Sequence, residues 1–107
     1  MNLDEAVAAV VVAEMTSREL DDDYVELCSI PWRLHRQLAA SPDAKIRELS
    51  EAVLRGLVQL GVSIGDLDGN SGVFTPWSSN DCVERVKREL ITLGREPNIG
   101  DIAWLTR

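Results

Sequence analysis

Apolar positions change their spacing several times along the chain, and each change marks an element. Ile46, Leu49, Val53, Leu57 and Leu60 recur at intervals of three and four, which is the period of one helical face. Ser41-Pro42-Asp43 stands before them as cap, first-turn proline and first-turn acid, and Gly61 stands after them as a stop. This predicts a helix over 42–60. Val83, Val86, Leu90 and Leu93 form a second stripe. Ser78 with Asp81 three residues on reads as a capping box before it, and Gly94 closes it, giving a helix over 78–93. Glu84–Arg88 and Arg85–Glu89 are i,i+4 pairs on its wet face. Ile30, Leu34 and Leu38 recur every fourth residue, with Ser29 as cap and Pro31 in the first turn, and predict a helix over 29–40.

The N-terminal segment is different. Asn2 and Glu5 have capping-box spacing, and Asp4 and Glu5 suit the positive end of a helix dipole. The helix they open, over 2–17, is apolar nearly all round, so burial on more than one side is expected. The β-branched run Val10-Val11-Val12 keeps a strand in play there. Asp21-Asp22-Asp23 interrupts the pattern, and Tyr24-Val25-Glu26-Leu27 has the composition of a short strand. Residues 62–66 and 72–77 alternate as two strands around the turn-rich Leu67-Asp68-Gly69-Asn70-Ser71, which predicts a hairpin. After a turn at 95–98, the apolar end around Trp104 is expected to dock on the body.

These elements describe one domain of the α+β class, mainly helical with a small hairpin, over residues 1–107. Their order is helix, short strand, helix, helix, hairpin, helix. It resembles a winged-helix domain over most of the chain up to Leu93. The resemblance implies a reading helix at 42–60 and a wing at 62–77, with Arg33, Arg36, Lys45 and Arg47 placed for phosphates in a DNA-binding transcription regulator.

Charge redirects that picture. Of 18 acids and 11 bases in the chain, eight acids and one base fall in residues 1–26. The whole net charge of −7 therefore sits at that end, and residues 27–107 balance. The wing carries Asp66 and Asp68 and no base. DNA affinity comes from neutralising phosphates with Lys and Arg, so an acidic wing counts against it. Glu19, Asp21, Asp22, Asp23 and Glu26 put five acids in eight residues. A local excess of this kind suits a positively charged protein partner, because opposed charges speed encounter and impose specificity. The chain is similar in size and charge to small acidic bacterial immunity proteins and antitoxins. That similarity implies a non-enzymatic protein that neutralises a basic toxin, such as a nuclease, through the 19–26 acids with Asp66 and Asp68 as a second edge. The apolar first helix is the surface expected for a homodimer.

Other chemistry is thin. Cys28 and Cys82 match no metal or disulfide spacing and read as reduced thiols of a cytosolic protein. Asp66, Asp68 and Asn70 resemble the opening of a calcium loop, but Ser71 replaces its glycine and Trp77 its bidentate glutamate, so no metal is expected. His35 follows Cys28 by two helical turns with no third catalytic partner in sight. No cofactor fingerprint is present. The apolar run from Ala6 to Ala13 is far short of the ~20 residues of a membrane span, and the acids before it are unlike a signal peptide.

Overall fold

The computed structural model describes all 107 residues. Four helices pack on one face of a small antiparallel sheet, in the order α1 (Leu3–Glu19), β1 (Val25–Glu26), α2 (Ser29–Gln37), α3 (Asp43–Gln59), β2 (Ser63–Leu67), β3 (Phe74–Pro76), α4 (Cys82–Leu93) and β4 (Trp104–Thr106). The sheet order is β1-β4-β2-β3. The mainly helical α+β class follows directly.

Helix α3 is the hub. Its buried positions Ile46, Leu49, Val53, Leu54 and Leu57 face α1 on one side and α2 and α4 on the others. The core continues through Val12, Leu27, Ile30, Leu34 and Val86 to Ile64 and Leu105 on the sheet. Two buried hydroxyls avoid an unsatisfied donor by back-bonding within their helices. Thr16 Oγ1 donates to the Val12 carbonyl and Ser50 Oγ to the Ile46 carbonyl, both at 2.8 Å.

Several expected details change. Helix α1 has its capping box, with Asn2 and Glu5 exchanging backbone-to-side-chain bonds of 2.8 Å. It is buried on one face only, through Glu5, Ala8, Val12 and Thr16. The opposite face leaves Leu3 78% and Val10 66% exposed, because no second layer of the fold reaches it. Ser29 is the first residue of α2 rather than its cap, and its Oγ donates to the Glu26 carbonyl instead. Helix α2 stops at Gln37, not Ala40, as Leu38 leaves helical geometry at φ −133° and ψ 59°. Pro42, not Ser41, occupies the cap of α3, and its carbonyl accepts from Lys45 and Ile46. Helix α4 begins at Cys82, so the Ser78–Asp81 box does not form; residues 78–81 make a turn that satisfies the backbone locally. Glu84 reaches across to Arg55 of α3 rather than to Arg88, while the Arg85–Glu89 pair forms at 3.3 Å. Gly94, at φ 69°, ends α4 in the left-handed region that suits glycine.

The largest difference is β4. The apolar tail does dock, but as an inner strand. Leu105 pairs with Val25 on one side and Ile64 on the other, while Trp104 lies opposite Glu26 and Gly65. No helix is long and apolar enough to cross a membrane.

Candidate protein-binding surface

The acidic segment occupies the C-terminal end of α1 and the turn into β1. The Asp22 and Asp23 amides both bond back to the Glu19 carbonyl at 3.1 Å, which continues the last helical turn and gathers the acids. A helix C-terminus carries partial negative charge, so carboxylates there are placed against the dipole. Two arginines from distant parts of the chain offset this. Arg33 of α2 pairs with Glu19. Arg107 Nε lies 3.1 Å from Asp21 Oδ1, and its Nη2 donates to the Ser17 carbonyl and hydroxyl at 2.7 Å. Asp23 accepts the Tyr24 amide at 2.7 Å. Asp22 is exposed and Glu26 half-buried. Neither carboxylate meets a cation or a hydrogen-bond donor of this chain, and they are the free acids of the segment.

Asp66 and Asp68 do not extend that surface. Asp66 Oδ2 accepts from the Trp77 indole at 3.0 Å, on the sheet face opposite Glu26, and the Arg85 guanidinium stacks 3.6 Å over the same ring. Asp68 Oδ1 accepts the amides of Asn70 and Ser71, which hold its carboxyl below the usual range and fix the hairpin turn. Both acids serve the hairpin. No cluster of three or more His, Cys, Asp or Glu is disposed to hold a metal.

The bases named for nucleic acid are also dispersed. Arg33 is drawn under the acidic turn, with its Nη1 buried and unpartnered. Lys45 sits 3.2 Å from Glu48 and 3.8 Å from Glu5, and the Glu48 carboxylate raises its affinity for the proton. Arg36 and Arg47 are exposed. Two of four candidate phosphate contacts are therefore committed to carboxylates.

His35 Nε2 stands 3.6 Å from Asp43 and 3.8 Å from Glu96, not beside Cys28. Burial, helped by the charges of Glu26 and Asp101, pushes the Cys28 thiol up to about 11. At neutral pH it stays a thiol, which is a poor nucleophile. A groove of about 220 Å³ between α3 and α4, floored by Val83, Val86 and Leu90, lies away from the acidic turn.

One group of residues has no counterpart in the sequence pattern. Side chains alternate across a sheet, and Val25, Ile64 and Leu105 point into the core. Tyr24, Glu26, Ser63, Gly65, Leu67, Trp104 and Thr106 therefore take the outer face, joined by Phe74 and Pro76. Tyr24 and Phe74 stack across it with ring centroids 5.7 Å apart. The only Tyr and the only Phe of the chain thus stack on the face that also carries Glu26 and, opposite it in register, Trp104. They come from β3, β4 and the residue before β1, so only the outward alternation at Tyr24 and Glu26 hinted at such a face.

No protein-family model matches the chain, and neither curated proteins nor solved structures give a match, so the functional reading rests on these residues.

Proposed function

We propose that this chain is a non-enzymatic protein-binding domain that neutralises a basic protein by occlusion, as an immunity protein or antitoxin does to a nuclease toxin. The observation that carries this reading is the pair of free carboxylates, Asp22 and Glu26, beside a sheet face that bears no base. Strands β1 to β4 contain no Lys or Arg at all. Carboxylates set against a helix dipole cost stability, so a cationic partner has more to offer there than on an ordinary solvated surface. The partner's cationic groups, built to hold phosphates, would be covered by carboxylates instead. The uneven charge of the chain would steer approach to this end and make the association rate fall with salt.

The direct experiment expresses the chain together with the product of each neighbouring gene and follows growth and complex formation, the reading requiring that the partner found be basic. Relief of growth inhibition, with a 1:1 complex whose association rate drops steeply between low and physiological salt, supports the reading. A complex whose rate is indifferent to salt, or one that survives charge reversal at Asp22 and Glu26 unweakened, overturns it.

A further inference from the structure

We infer that the outer face of the sheet is a seat for an arginine side chain presented by that basic partner, with Trp104 and the Tyr24–Phe74 stack as its π surface and Glu26 as its counter-ion. This rests on the protein-binding reading above and specifies what the partner must present. The solvent side of a small antiparallel sheet is ordinarily polar. Here Tyr24, Leu67, Phe74, Pro76 and Trp104 take outward positions, with Ser63 and Thr106 as the neutral polar ones. Gly65 contributes no side chain between β4 and β3, and the Phe74 ring leans over it. The result is an aromatic surface with one carboxylate, Glu26, in register with Trp104.

Charge selects the occupant. A phosphate-bearing ligand would meet Glu26, with Asp22 and Asp23 close by in the chain and no base on the strands. A cation gains from both parts of the surface. Arginine fits better than lysine, because its planar guanidinium stacks on rings while its edge presents a fork to a carboxylate. The molecule already stacks an arginine on an indole on its other face, where Arg85 lies over Trp77 while Asp66 takes the indole N–H. A second copy of the chain is a poor occupant, since it brings another −7 and an equally acidic face.

The test is a nitrogen–proton NMR titration of the full chain with a blocked Gly-Arg-Gly-Arg-Gly peptide and with its citrulline counterpart, which keeps the shape and loses the charge. Saturable shifts at the Trp104 indole and the Glu26 and Gly65 amides are expected. The citrulline peptide should bind at least fivefold more weakly. Glu26→Gln and Tyr24→Leu, both substitutions at partly exposed positions, should each weaken the arginine peptide about three- to fivefold. Equal binding of the two peptides overturns the guanidinium seat. Shifts confined to Asp21–Asp23 overturn the sheet location while leaving the protein-binding reading in place. The absence of any shift overturns the guanidinium seat, while the protein-binding reading stands or falls with complex formation by the full chain.

Discussion

Gly65 sits where the outer face of the sheet meets the fold, and replacing it with alanine tests that packing. A Cβ at this position would stand 2.3 Å from the Thr75 carbonyl oxygen and 2.8 Å from both Phe74 Cζ and Pro76 Cα. A comfortable carbon–oxygen approach is about 3.3 Å or more, so β3 has to retreat by roughly 1 Å. Two of the three obstructing atoms are backbone, and no rotamer change removes them. Overpacking of this kind costs about 1–3 kcal/mol. The retreat also strains the 2.8 Å bond from the Trp77 amide to the Ile64 carbonyl, which is worth about 1 kcal/mol. Against this, alanine restricts the unfolded chain and returns about 0.4–1 kcal/mol. The expected net loss is about 2 kcal/mol. With an unfolding entropy of about 2.1 cal/mol/K per residue, that lowers the melting temperature by about 9 °C. Gly56 provides the matched control. It lies exposed near the end of α3 with nothing within 4 Å of a Cβ, and there the same substitution should gain about 0.5–1 kcal/mol from helix propensity. Urea unfolding followed by circular dichroism measures both. If Gly65→Ala proves as stable as the parent, or if the two substitutions shift stability in the same direction, the close approach of β3 to β2 is refuted.

Burial of α1 on one face gives a second contrast: Val10→Lys should change stability by less than about 0.5 kcal/mol, whereas Val12→Ala should cost about 2 kcal/mol, both read from denaturant midpoints. Cys28 gives a pH dependence. Its folded pKa is raised from 9.0 to about 11, so above pH 9 the unfolded chain loses this proton before the folded one does. Stability is then lost as pH rises, by about 1.4 kcal/mol at pH 10 relative to a Cys28→Ala reference that has no such titration; parallel slopes for the two proteins between pH 8 and 10 would remove the basis for this expectation. Asp66→Ala should destabilise the hairpin by about 1 kcal/mol through the lost Trp77 bond while leaving basic-partner affinity intact. Asp22→Asn with Glu26→Gln should do the reverse, slowing association several-fold without lowering the melting temperature, since the Asp22 charge opposes the α1 dipole.

Legibility from the sequence tracks how local each cause is. The stripe from Ile46 to Leu57 and the Asn2–Glu5 box lie within a few turns, and both appear where the pattern puts them. Helix α1 misleads because apolar residues surround it, and composition cannot say which faces find partners. Ser29, Ser41 and Ser78 look like caps by residue type. Their neighbours Pro31 and Pro42 and the turn at 78–81 shift the helix starts by one to four residues. The acids at 19–26 were legible as a charge excess. Their engagement was not, because Arg33 and Arg107 reach Glu19 and Asp21 only through tertiary packing. The aromatic face was hidden for the same reason, its rings being 30 to 80 residues apart along the chain.

The place of β4 has a consequence for synthesis. It is the last strand in the chain, yet it is the only one bonded to β1 and the one that links β1 to β2. While residues 104–106 are still inside the ribosome, the helices and the 63–76 hairpin have everything they need to associate, whereas Val25 and Glu26 have no strand to join. Because β1 pairs with residues about 80 positions away, that closure carries the largest loop entropy in the sheet. The surface that the aromatic rings and Glu26 build together therefore cannot be complete before Trp104 emerges, and a nascent chain stalled short of it would present the acids without the full platform beside them.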